Sequence, residues 1–415
     1  MKQGVIAVSA LLALAGAGAL SGESPAPPAE TAAPSTPMDG MDDMPAMDHW
    51  MTMVHGFAFL NYDDQGGPSG GSAFVSQNHF MGMATHAFLG GGLSLLGTLT
   101  LEPATIPEPG SHELFQVGET YRGVLLVDYQ HPHDFVAQLA ASWNRALSAG
   151  VSLTFYAALV GEPALGPPAY VHRLSASENP TAPLAHHSQD STHISYDVLT
   201  LGFRTSLLTL EGSVFHGAEP DENRWNIQTG ALDSYSVRLT SQPLAGFTVQ
   251  VSGGHLTHPE DGEPGNQNRF TGMLAYEATL PRGFLAVSLI TGQTQGEEGK
   301  AWGTTLEATW KFADANFVYT RLEAVDRDLF ELTYKHRPPP GIPVDRTRVY
   351  AATLGYVRDL PPVLTGVETG LGGDATLYRF TRQLDGVYSE HPVSFHGFAR
   401  IRFSFPAGMD HAMGD

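Results

Sequence analysis

The sequence has no cysteine, which at once excludes disulfides, thiolate metal sites, a cysteine nucleophile and a lipidated N-terminal cysteine. Positive charge is scarce. Only 22 Lys and Arg stand against 43 Asp and Glu, a formal net charge of -21 with no basic patch, so nucleic acid is not expected as a partner. Long apolar runs are missing too. Beyond the N-terminal segment no stretch approaches the roughly 20 continuous apolar residues of a spanning helix, and none shows convincing helical periodicity.

What is present starts with a leader. MKQGVIAVSALLALAGAGAL supplies Lys2, a short Gly-interrupted apolar run, and small residues at Ala17-Gly18-Ala19 for cleavage. Residues 1–19 are therefore expected to be a signal peptide and the mature protein to be exported. Residues 20–54 are expected to be a periplasmic segment, first Pro- and Ala-rich (ESPAPPAETAAPSTP), where they read as a tether, then Met- and His-rich.

From about residue 55 the hydropathy has period two. Phe247, Val249 and Val251 alternate with Thr248, Gln250 and Ser252, and Trp302, Thr304, Leu306, Ala308, Trp310 and Phe312 alternate with Gly303, Thr305, Glu307, Thr309 and Lys311. A soluble sandwich would alternate likewise, so the connections decide. Tight turns near 89–92, 147–150, 205–206, 242–246, 280–283, 312–314 and 359–363 take turns with long polar stretches at 102–132, 161–192, 217–231, 256–268, 324–346 and 379–390. Short periplasmic turns and long extracellular loops characterise an outer-membrane barrel. A Greek-key sandwich has no reason to sort its loops so. The expectation is an all-β, closed antiparallel transmembrane β-barrel over residues 55–405, of about sixteen strands (roughly 14–18). An even count puts both termini on the periplasmic side of the outer membrane. The last strand, with Val393, Phe395, Ile401, Phe403 and Phe405 on one face, resembles the aromatic-ended closing strand of outer-membrane proteins. A tail, residues 406–415, follows it.

Met-Asp-His occurs in both end segments, at Met47-Asp48-His49 and Met409-Asp410-His411. Met38, Met41, Met44 and Met47 recur every third residue, followed by His49, Met51, Met53 and His55, and the closing tail adds Met409, His411 and Met413. Thioether sulfur with imidazole selects Cu(I) over hard cations. These eleven residues are the candidate metal ligands, and copper, Cu(I) before Cu(II), is the expected cofactor.

The Met- and His-rich N-terminus resembles that of copper resistance protein B, an outer-membrane barrel. The phrases FLNYDDQGGPSGG, LTLEPATIPEPGSHELFQVGE, QHPHDFVAQLAASW, GEPALGPP, HHSQDSTHIS and EGSVFHGAEPDENRW resemble a largely uncharacterised group of Gram-negative outer-membrane barrels associated with metal-resistance gene neighbourhoods. The resemblance implies location and a metal-tolerance context, with outer-membrane lipids, metal ions and periplasmic copper-handling proteins as partners.

His112, His131, His133, His172, His186, His187, His193, His216, His255 and His258 fall in or beside the long connections. His131-Pro-His133 and His186-His187 are compact enough for ligand pairs, although hydrogen bonding that folds the loops is the simpler reading. Pro167, Pro168, Pro180 and Pro183 favour a structured plug or lid in the longest loop. His193-Ile194-Ser195 matches the His-x-Ser pair of outer-membrane lipid hydrolases. The motif is weak by itself, and alternation places Ser195 and Asp197 on the lumenal face, away from lipid. Glu211, Arg238, Arg269, Glu277, Glu307, Lys311, Arg400 and Arg402 are expected to point inward and brace the barrel. The sequence thus reads as a non-enzymatic barrel that handles copper at its periplasmic face, by binding, passage or both. A general or solute-specific porin is the alternative and a His193/Ser195 lipid hydrolase the third reading.

Overall fold

In a membrane barrel, alternation over ten or more residues turns one face of each strand to lipid and the other to a polar interior. The computed structural model describes residues 49–260, 265–339 and 343–407. Its strands are β1 (Met51–Gln65), β2 (Ser72–Phe88), β3 (Gly91–Leu99), β4 (Ser111–Tyr121), β5 (Val124–Gln130), β6 (Val136–Ser148), β7 (Val151–Gly161), β8 (Ser195–Thr205) and β9 (Leu208–His216). They continue as β10 (Ser234–Leu244), β11 (Phe247–Leu256), β12 (Gln267–Leu280), β13 (Gly283–Gly296), β14 (Gly299–Phe312), β15 (Asn316–Asp328), β16 (Arg346–Asp359), β17 (Val367–Arg379) and β18 (Val393–Ala407). Sixteen of them close one antiparallel barrel in chain order, β1 sealing against β18 with Thr52 opposite Ala407. The other two, β4 and β5, pair only with each other among the described residues.

The result is inside out. Leu60, Phe74, Leu139, Phe155, Leu201, Phe203, Val237, Trp310 and Leu354 are exposed, whereas Asn61, Asp63, Glu211, Arg238, Arg269, Glu307, Arg321 and Arg400 are buried. β1 begins and β18 ends at the same end of the barrel as the turns 89–90, 149–150, 206–207, 245–246, 281–282 and 313–315.

Two expectations need correction. The barrel starts at Met51 rather than 55 and runs to Ala407, so Met51, Met53 and His55 belong to the wall. Long and short connections do not alternate strictly. At the long-loop end, 66–71 and 297–298 are short, because β1 and β2 run to 15 and 17 residues and β13 and β14 stay paired up to Gly296–Gly299.

Candidate functional site

Two of the long connections fold inward. Residues 162–194, expected as a plug, run across the lumen and are pinned to distant strands by charge. Arg173 donates to Glu307 Oε1 at 2.7 Å and also binds Asp190 and the Pro168 carbonyl. Glu178, fully buried, lies between Arg400 and Arg402 of β18. Arg321 of β15 donates to the Thr181 carbonyl, and Ser175 Oγ lies 2.9 Å from Glu307 Oε1 and 2.8 Å from Ser288 Oγ. Residues 100–135, carrying the β4–β5 hairpin, pack beside it. Leu114 and Phe115 meet Leu184, Leu332, Leu384 and Tyr388 in an apolar cluster inside the long-loop end.

The expected inward charges split by depth. Glu211 pairs with Arg238 at 2.8 Å, and Arg269, Glu307 and Arg400 are likewise buried. Lys311 reaches Asp359 at 3.4 Å, whereas Glu277 is exposed.

Of the candidate metal residues, Met38, Met41, Met44, Met47, Met409, His411 and Met413 lie outside the described residues. His49 is exposed just before β1. Met51, Met53 and His55 share the lumenal face of β1 with the buried Phe59, Asn61 and Asp63. Register sets Met53 opposite Met83, His55 opposite Met81 and Phe57 opposite His79. His55 Nε2 lies 3.0 Å from Met81 Sδ. His79 in turn stands edge-on to His172 of the inward loop, ring centroids 5.0 Å apart. Sequence reasoning missed His79, Met81 and Met83. Their signal was there: Gln77, His79, Met81 and Met83 recur at strand period, a ladder of ligand types on one face.

The loop histidines come together more closely than their sequence spacing shows. His131, His133, His193, His186 and His187 form a closed ring, with successive centroids 6.5, 5.1, 5.2, 5.5 and 6.4 Å apart. Four are anchored through Nδ1: His131 to the Pro132 carbonyl at 3.1 Å, His133 to Glu102 at 2.8 Å, His186 to the Asp190 carboxylate at 2.7 Å, and His193 to the Asp190 carbonyl at 2.9 Å. Burial pushes His193 and His187 well below the usual imidazole range, helped by neighbouring histidines. Burial also works to raise the Glu119 carboxyl, but Arg224 and His131 outweigh it and hold it at about 2. For His133 burial acts downward and Glu102 reverses it, so its pKa is raised. The ring borders a cavity of about 20 Å³ shared with Glu119, Glu219 and Arg224.

The His-x-Ser pair is arranged otherwise than expected. Ser195 Oγ donates to the Thr192 carbonyl at 2.9 Å, and His193 Nδ1 is committed to Asp190. Tyr196 and Val198 take the buried face of β8, a bulge at Asp197 (φ 51°) having shifted the register. Tyr196 donates inward to Asp134 at 2.6 Å.

Fold and lumen together define an outer-membrane-type barrel with inserted loops. No protein-family model matches the chain, and no curated protein does. Solved structures do. OprB of Pseudomonas putida matches at TM-score 0.52 and 12% identity over 86% of this chain and 94% of that one. OmpF of Salmonella typhi, solved in complex with daunomycin, matches at TM-score 0.52 and 10% identity over 85% and 97%. Both are outer-membrane porins, and at such identity the likeness is one of fold.

Proposed function

We propose that the protein is a non-enzymatic outer-membrane channel of the porin type, whose lumen is narrowed by loops 100–135 and 162–194. Its short-turn end, with both ends of the barrel, faces the periplasm. The observation that carries this is the strap of buried ion pairs from Arg173 and Glu178 to Glu307, Arg400 and Arg402. Removing one partner of a buried pair leaves an uncompensated charge, at a cost of about 3–5 kcal/mol. Glu178→Gln is therefore expected to loosen the strap. In planar bilayers the parent should show small single-channel conductance and the variant larger, noisier openings. A parent that never conducts, or a variant identical to it, counts against the channel.

A second reading is favoured by a specific observation, the facing pairs Met53–Met83 and His55–Met81. On it the passing solute is a soft cation, copper above all. Ligands of this softness and neutrality suit Cu(I), and the end segments and periplasmic copper-handling proteins would exchange the ion at that mouth. The resemblance to metal-resistance barrels supports the same context.

A further inference from the structure

His187 Nδ1 is buried with no hydrogen-bond partner. A buried nitrogen left without a partner is unfavourable, so its surroundings matter. It lies 3.9 Å from Glu219 Oε2 and 3.8 Å from Glu260 Oε1, and one ligand atom from each of the three residues falls within 4.8 Å of the others. Donors bound at ~2.1 Å around one tetrahedral ion stand about 3.4 Å apart, so each imidazole–carboxylate distance needs a contraction of roughly half an ångström to reach that spacing. The three come from the short helix His186–Gln189 and the connections after β9 and β11, so tertiary folding alone assembles them. His193 Nε2, across the histidine ring, is a second buried nitrogen without a partner.

We propose that His187, Glu219 and Glu260 form a binding site for a borderline divalent transition-metal ion at the long-loop end of the barrel. The donor set decides the class. One imidazole with two carboxylates suits Zn(II), Co(II) or Ni(II), whereas Cu(I) prefers sulfur and Ca(II) wants six or more oxygens. Glu219 is itself oriented by Ser191, which donates to Oε1 at 2.8 Å and leaves Oε2 toward His187. A ligand carboxylate held by a second hydrogen bond is the usual support of a metal site. The His187 ring rests on Gly118, where an added Cβ would stand 2.3 Å from Cε1. The backbone therefore fixes where the imidazole sits. The site is chemically and spatially separate from the Met–His pairs and stands whether or not the barrel conducts.

Co(II) is the probe, titrated into full-length, chelator-stripped protein in detergent and followed by its visible d–d absorption, with Zn(II) as competitor. One equivalent should bind, and Zn(II) should erase the band. His187→Ala and the double change Glu219→Gln/Glu260→Gln should each weaken binding at least tenfold. Gly118→Ala, which keeps every ligand but displaces the ring, should weaken it as well. A variant lacking residues 20–48 and 408–415 should bind as the parent does. Heat-modifiable migration on gels checks closure of each barrel, and if His187→Ala fails to close, the double variant decides. No band in the parent, parental affinity in the double variant, or loss of the site with the end segments would overturn the proposal.

Discussion

His172 lies between the two groups of ligand-type side chains. Burial pushes its pKa down to about 4, and His55 of the wall and His133 of the ring add to the shift. The folded protein therefore holds it neutral, while the unfolded chain protonates it near 6.5. Between these values the unfolded state binds more protons, so this contribution to stability is present above pH 6.5 and lost as pH falls toward 4. Asp134, pushed up by burial to about 6, and Glu113, to about 8, act in the opposite direction. The comparison that isolates His172 is thus parent against His172→Asn. Hydrogen exchange in residues 162–194 should speed up on going from pH 7 to pH 4.5 in the parent and change less in the variant. An identical pH response would remove His172 as the cause.

Elements were legible where one face met lipid. β14 and β18 show clean alternation because Trp302, Trp310, Phe395 and Ile401 face outward while Glu307 and Arg400 face in. β4 and β5 were not legible, for a physical reason. The hairpin sits inside the barrel with runs buried on both faces, Leu114 to Gln116 and Leu125 to Asp128, and burial on both faces erases alternation. Its docking depends on Phe115, fully buried and stacked on Tyr388 with centroids 4.2 Å apart. Phe115 also holds a left-handed φ of 70°, and its N–H donates to Asp128 at 2.7 Å. Phe115→Ala should cost about 3–5 kcal/mol locally. Because the hairpin pairs with no barrel strand, the loss should appear as proteolysis within residues 111–130 while heat-modifiable migration of the barrel is unchanged. Unfolding of the whole barrel would show instead that the hairpin supports closure.

At the scale of the whole molecule, the closed barrel turns distant sequence into neighbours. Arg173 and Glu307, 134 residues apart, make one ion pair; alternation turns Glu307 inward, but no sequence pattern announces which loop residue meets it. The candidate copper ligands were half legible for the same reason. A run of methionines in the end segments is visible in the sequence, but its continuation into Met81 and Met83 requires the β1–β2 register. Since Thr52 pairs with Ala407, the segments bearing Met47, His49, Met409 and His411 are tethered at one point of the rim, beside Met51 and Met53. Tethering at such range supplies roughly millimolar effective concentration, so ligands from both segments should reinforce those of the wall. Cu(I), titrated against a competing chelator, should bind the intact protein more tightly than forms lacking residues 38–48, residues 408–415, or both. The double change Met53→Leu/Met83→Leu, close to volume-conserving, should weaken Cu(I) while leaving Zn(II) binding alone. Loss should be graded for single methionines, since spare thioethers substitute for one another, and steep for His49 and His411 changed together. Equal Cu(I) affinity in the protein lacking both segments would reduce the repeated Met-Asp-His to a linker, and equal affinity in the Met53/Met83 variant would leave the lumenal ladder as packing.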